Sequence, residues 1–289
     1  MTGVEAFVNA LGDEIQDAEE ETFLLFSQDI QSQNLGMIDP KASILEVSLG
    51  NRDLSILQSP AVLNSAREGG TTGAVVWKVT PRFTEWIASA DNVLHDHGIL
   101  HPGASVLELG SGIAGILPLG LKPYVGKFIA TDQQYALKLL RENIERNANS
   151  HPTKRGKKST DAAEGGICVL PLDWETDDVQ SLLKSSGSSQ GVDMVVACDC
   201  IYNYALIQPF IQTCIDVCSM RSQEPGRSPT VCVVAQQLRQ PDVMEEWLTL
   251  FMKHFRTWRI SDEVLTSDLR EGSGFVIHVG VLRGTGQVV

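Results

Sequence analysis

From residue 103 onward the chain alternates short apolar runs with amphipathic segments, and this alternation restricts the fold more than any other feature. ASVLEL, KFIATD, GICVLPLD, VDMVVACD and TVCVVAQQ read as strands, each followed by a helical stretch: GIAGILPLGL, QYALKLLRENIERNA, DVQSLLKSS, YALIQPFIQTCIDVCS and PDVMEEWLTLFMKHF. Strands that are apolar on both faces must be covered on both, so the pattern predicts an α/β fold with a doubly wound, mostly parallel sheet. RTWRIS and GFVIHVGVL end the chain as two strands with no helix between them. They bring the sheet to seven strands and predict an antiparallel edge.

The segment before residue 70 has a different character. ASILEVSL and LSILQS alternate apolar and polar residues around GNRD, the pattern of a β-hairpin. Ahead of it, nine acidic residues precede the first basic one, Lys41, so most of the net charge of −13 lies there. EETFLLFSQDI reads as a short helix in an acidic, mobile leader. The expected organisation is an N-terminal leader and hairpin extension over residues 1–70, followed by one domain over residues 71–289. WKVTPRFTEWIASADNVL opens that domain as an amphipathic helix, with Pro81 near its start. NANSHPTKRGKKSTDAAEGG and SSGSSQG read as surface loops.

Composition excludes several classes. The longest apolar run, GILPLGL, is too short for a bilayer and is broken by Pro118, so no membrane span is expected. The acidic start fits neither a secretory signal nor a transit peptide, which predicts a cytoplasmic protein, with the nucleus as the other location. The six cysteines are then reduced, and their spacing lacks paired C-x-x-C or suitably placed histidines, so they read as small buried hydrophobes and no metal site is expected. A negative chain is a poor partner for phosphates, and no direct nucleic-acid contact is expected. The exception is HPTKRGKKS, residues 151–159, which reads as a solvated basic loop, with a nuclear signal or an RNA contact as alternatives.

Candidate functional residues gather at strand ends. ELGSGIAG places Gly110, Gly112 and Gly115 at G-x-G-x-x-G spacing after a strand and before a helix, and Asp132 ends the next strand 22 residues after Gly110. That context suits a nucleotide cofactor: glycine allows close backbone approach, and a carboxylate receives ribose hydroxyls. Glu108 selects among cofactors, because a carboxylate beside a dinucleotide pyrophosphate is repelled, whereas beside the ammonium and sulfonium of S-adenosylmethionine it is attracted. Asp173 and Trp174 close the third strand, where they can hydrogen-bond and stack on an adenine. Asp199 closes the fourth, with Tyr202 on the same side of the following turn, an arrangement that suits a cationic acceptor. Asp199 also reads as a helix cap, and Trp77, from its spacing, as core packing.

Taken together, TTGAVVW followed by TP, VLELGSGIAGILP, TDQ at 131–133, DW at 173–174, DCIYN with the following PF, and QLR at 237–239 resemble the seven-strand protein-lysine methyltransferases, and most closely the fungal ribosomal lysine N-methyltransferase 5 family. The resemblance spans residue 71 to about residue 240. It implies a Rossmann-like class I methyltransferase fold and S-adenosylmethionine as cofactor. It places Trp77, Glu108, Gly110, Ser111, Gly112, Asp132, Gln133, Asp173, Trp174 and Cys198 around that cofactor, Trp77 against the reading from spacing. It sets Asp199 and Tyr202, as the family's D-x-x-Y motif, toward the target lysine. The implied partner is a protein substrate, a basic protein of the large ribosomal subunit. Three other readings stay open on the residues alone: a dinucleotide oxidoreductase, a methyltransferase for a small molecule or another protein, and a non-catalytic module that binds the methyl donor.

Overall fold

A computed structural model describes residues 3–30, 33–65, 71–148, 166–222 and 227–284. The leader carries α1 (Gly3–Ala10) and α2 (Ala18–Phe26), and the hairpin is β1 (Ile44–Leu49) and β2 (Arg52–Leu57). After the short α3 (Pro60–Leu63) come α4 (Val79–Ile87) and α5 (Val93–Asp96). The expected alternation follows: β3 (Ser105–Leu109), α6 (Ile116–Leu121), β4 (Lys127–Asp132), α7 (Gln134–Ala148), β5 (Ile167–Pro171), α8 (Val179–Ser185), β6 (Met194–Cys198), α9 (Tyr204–Ser222), β7 (Val231–Gln237), α10 (Pro241–His254), β8 (Phe255–Arg259) and β9 (Phe275–Leu282). The basic stretch 151–159 lies outside the described residues. Among those described, no helix is long and apolar enough to cross a membrane.

The seven-stranded sheet has the order β5-β4-β3-β6-β7-β9-β8. The chain winds from β3 outward through β4 to β5, then returns to the other side of β3 for β6 and β7. The strand order therefore reverses between β3 and β6, which opens a crevice at their carboxyl ends. Five strands are parallel, as expected. The final pair forms the expected antiparallel edge: β9 lies between β7 and β8 and is antiparallel to both. A fifteen-residue link, residues 260–274, returns the chain so that β9 lies beside β8, and α10 carries the chain from β7 past the gap that β9 fills.

Strand side chains alternate strictly between two cores. Val106, Phe128, Met194, Val196, Val231 and Val233 face one, together with α4, α6 and the hairpin. Leu107, Ile129, Val195, Ala197, Cys232 and Val234 face the other, with α8, α9 and α10. The predicted helix over 77–94 is divided. Asn92 ends it by donating from Nδ2 to the Trp86 carbonyl at 2.9 Å and caps α5 by accepting from the Leu94 N–H at 2.9 Å. The open edge of β2 is satisfied by α7. Asn143 accepts from Leu57 N at 2.8 Å and donates to Leu57 O at 2.9 Å, and Asn147 does the same for Ser55 at 2.9 and 3.1 Å.

The leader is folded, contrary to the mobile segment expected from its charge. Val4, Phe7, Val8 and Leu11 enter the first core and Leu25 the second. Its acids find specific cations: Glu14 pairs with Arg256 at 2.9 Å and Arg283 at 3.0 Å, while Glu21 meets His278 at 3.2 Å and Arg259 at 3.4 Å. Burial alone would raise the Glu21 carboxyl, but the hydrogen bond and charge of His278, with the charge of Arg259, hold it below the ordinary value. Because Phe7 is fully buried and Phe23 is 70% exposed, Phe7→Ala is expected to cost about 3–5 kcal/mol and Phe23→Ala under about 0.5 kcal/mol, as measured by urea denaturation.

Candidate active site

The site is built on the turn after β3. Gly110 and Gly112 have φ of +72° and +60°, backbone that side chains rarely adopt. A Cβ on Gly112 would also lie 3.0 Å from the Gly73 carbonyl. That carbonyl accepts from Ile113 N at 2.9 Å, so the loop before α4 is stitched to the glycine turn. Asp132 stitches it to β4: its two oxygens accept from Gly112 N and Gln133 N, each at 2.8 Å. Asn143 supplies a third tie, donating to Ile113 O at 2.7 Å while it holds β2.

A cleft opens above this turn. Of the residues singled out from sequence, Trp77, Gly110, Ser111, Gly112, Asp132, Gln133, Asp173, Trp174, Cys198, Asp199 and Tyr202 all line it. Glu108 does not. It is 2% exposed and lies behind the wall, its Oε2 accepting from Ser111 Oγ at 2.6 Å. Burial pushes the Glu108 carboxyl up to about 8, against the Ser111 bond, and the charge of Asp132 adds to the rise. Burial likewise raises Asp132 to about 6, against its two backbone bonds. No lysine, arginine or histidine among the described residues pairs with either. Two carboxyl groups poised to ionise without a cation make a field that a positive ligand would complete.

At one end of the cleft, Trp174 packs edge-on against Phe210 with ring centroids 5.3 Å apart and leaves its other side on the cavity. Asp173 is fixed beside it by Glu175 N at 3.0 Å. At the other end, Trp77 donates from Nε1 to the Thr72 carbonyl at 2.9 Å, and Thr72 Oγ1 donates to the Tyr202 hydroxyl at 3.1 Å. Asp199 has the left-handed φ of +59° and a side chain only 3% exposed. It does not cap the next helix. Arg239 clamps both of its oxygens at 2.5 Å. The carboxylate expected to meet an incoming ammonium is thus already paired with a cation of the chain itself.

The thiols of Cys198 and Cys200 are driven well up by burial, and the neighbouring carboxylates push the same way, so both stay protonated. Among the described residues no group of three or more His, Cys, Asp or Glu is placed to hold a metal ion. Thr72, Gly73 and Arg239 are site residues that spacing alone does not reveal. QLR at 237–239 marks Arg239 without indicating its partner.

Comparison with known proteins agrees with this geometry. Residues 58–253 match the family described as lysine methyltransferase. The ribosomal lysine N-methyltransferase 5 of Vanderwaltozyma polyspora is 30% identical over 305 residues, covering 86% of this chain and 92% of that protein. Its namesake from Zygosaccharomyces rouxii is 32% identical over 222 residues, covering 68% and 69%. A Schizosaccharomyces pombe protein named diaminohydroxyphosphoribosylamino-pyrimidine deaminase is 30% identical over 242 residues, covering 83% of this chain. The chain spans about half of that relative, 52% of its length. The given sequence contains neither the H-x-E nor the C-x-x-C of a zinc deaminase. The chain belongs to the lysine methyltransferase family.

Proposed function

We propose that this chain is an S-adenosylmethionine-dependent protein-lysine N-methyltransferase whose acceptor is a lysine of a basic, large-subunit ribosomal protein. One observation carries the reading: the glycine turn, the ribose-type carboxylate Asp132 and the pair Asp199 and Tyr202 share a single cleft. The names of the yeast relatives support the ribosomal part.

The residues fit the donor. Its positive charges answer the unpaired carboxyls of Glu108 and Asp132, whereas a pyrophosphate would be repelled. Ser111 donates its proton to Glu108, which leaves its lone pairs for an ammonium N–H and brings the Glu108 charge within one hydrogen bond of the cavity. Asp132 spends one acceptor site of each oxygen on the backbone and keeps others for ribose hydroxyls. Asp173 and Trp174 provide an acceptor and a ring for adenine. Trp77, Gln133 and Cys198 complete the wall. When bound, S-adenosylmethionine supplies a methyl group activated by the adjacent sulfonium charge.

Asp199 and Tyr202 orient the acceptor amine. Presenting a lysine as the free amine at neutral pH costs about 4.6 kcal/mol, and alignment of amine and methyl within the cleft supplies much of the acceleration. Incubation with radiolabelled donor and unmodified large-subunit ribosomal proteins, followed by mass spectrometry of the labelled band, tests the function; label on no lysine-containing protein would overturn it. Asp199→Ala is expected to lower turnover by at least about a hundredfold while calorimetry finds donor affinity little changed.

The pH dependence of donor binding follows from Glu108. Its carboxyl is largely protonated in the free protein below about 8. A cationic ligand favours the ionised form, so the donor's affinity should tighten as pH rises from about 6 to about 8, by up to tenfold per unit. Glu108→Gln should flatten that profile in calorimetry. The same group acts oppositely on stability. A folded-state value above the unfolded one leaves stability intact below about 4.5 and lost as pH rises through about 8. Ligand-free Glu108→Gln should therefore gain melting temperature over wild type as pH increases across that window, despite weaker donor binding.

A further inference from the structure

Asp199 is fixed from several directions. Its N–H donates to Ala235 O at 2.8 Å and its Oδ1 accepts from Gln237 N at 3.3 Å, which anchors it to the end of β7. Arg239 grips both oxygens as a planar fork, the strongest arrangement open to this pair. Arg239 is itself held: its guanidinium lies over the Trp77 ring, 5.0 Å from the centroid, and its Nε donates to Leu35 O at 3.3 Å. Leu35 belongs to a strap of the leader secured by Lys78 N to Gly36 O at 2.8 Å and Ile38 N to Val76 O at 3.2 Å. An ion pair that serves stability alone has no need to stand in the wall of the acceptor cleft.

An unpaired carboxylate there would hold lysine as an ammonium, the form that cannot accept a methyl group. A guanidinium stays charged throughout the working pH range, so the clamped pair has no net charge and little pull on a cation. We propose that Arg239 is a positioning residue which cancels the charge of Asp199, so that the acceptor site takes the lysine side chain as a neutral amine. The amine gives its proton to bulk water before it enters. This assignment rests on the reading of lysine as the acceptor and adds how its protonation state is selected.

Other titratable groups border the site: Glu108 and Asp132 on the donor side, the thiols of Cys198 and Cys200, the Tyr202 phenol, which burial pushes up, and Lys78, bonded to Gln33 O at 3.0 Å. They are common to every variant below. n-Butylamine serves as the probe of the lysine side chain, bound to protein loaded with S-adenosylhomocysteine and followed by NMR. In wild type its apparent affinity should rise about a hundredfold from about pH 7 to about pH 9, as the free-amine fraction does. Ionisation of Glu108 over the same range contributes about tenfold at most.

In Arg239→Gln the exposed carboxylate should bind the cation, tighter than wild type at neutral pH and changing between about pH 7 and about pH 9 by no more than the roughly tenfold that Glu108 contributes. Arg239→Lys keeps the charge and should keep the wild-type slope, and Asp199→Asn with Arg239→Gln should restore it. A wild-type slope of tenfold or less overturns the assignment whether or not the variants fold. So does an Arg239→Gln slope equal to that of wild type, which is what a merely structural ion pair would leave. If butylamine behaves as expected but no methyl reaches any protein, the substrate reading fails and the charge cancellation stands. If methyl transfer proceeds and the slopes coincide, the Arg239 assignment fails alone.

Discussion

The pair of backbone hydrogen bonds accepted by Asp132 is the constraint on which the cleft depends. Gly112 N and Gln133 N belong to the turn after β3 and to the end of β4, and one carboxylate joins them. Adjacent parallel strands are registered by their ladder, but the turns beyond their ends are not. Without that bridge the left-handed glycines would be free to relax, and the Gly73 carbonyl that meets Ile113 N would lose its seat. The loop bearing Thr72 and Trp77 would go with it, and so would the contact from Thr72 to Tyr202. One carboxylate therefore serves twice, as the brace of the turn and as an acceptor still available to a ligand.

Charge divides the cleft into two unlike halves. Beside the glycine turn Glu108 is buried and Asp132 half-buried, no cation among the described residues pairs with either, and their raised values record the cost of that isolation. At the other end Asp199, its side chain 3% exposed, is fully paired. A fixed-charge cofactor needs a counter-charge waiting for it. An amine that must arrive uncharged needs the reverse. Within one cleft wall, one carboxylate has a cation of the chain beside it, and the two others have none among the described residues.

Much of this was legible in the sequence, because it rests on local pattern. Strands apolar on both faces, glycines between a strand and a helix, and carboxylates at strand ends each carry a physical meaning that needs no distant partner. What stayed hidden depends on contacts far along the chain. Glu14 and Glu21 look like members of a solvated acidic run until β8 and β9 bring Arg256, Arg259, His278 and Arg283 beside them. Asn143 and Asn147 look like ordinary polar positions of a helix until the edge of β2 meets them. Asp199 reads as an open carboxylate because its partner lies forty residues away, across the end of β7. Glu108 was sited at the right strand end, but its position behind Ser111 depends on a side-chain direction that the run of residues does not encode.

The leader shows how such distant pairing reaches function. Its helices are anchored on the far strands by Glu14 and Glu21, and the segment between those anchors and the hairpin then has to cross the rim of the cleft. There the carbonyls of Gly36 and Leu35 receive Lys78 N and Arg239 Nε, and Met37 bridges to Trp77. Two of these contacts touch the residues that flank Asp199. The strap thus supplies the carbonyl that receives the third nitrogen of Arg239, whose other two hold the carboxylate. The acidic composition that made the leader look like a tail is, at Glu14 and Glu21, the means by which it packs on the far strands.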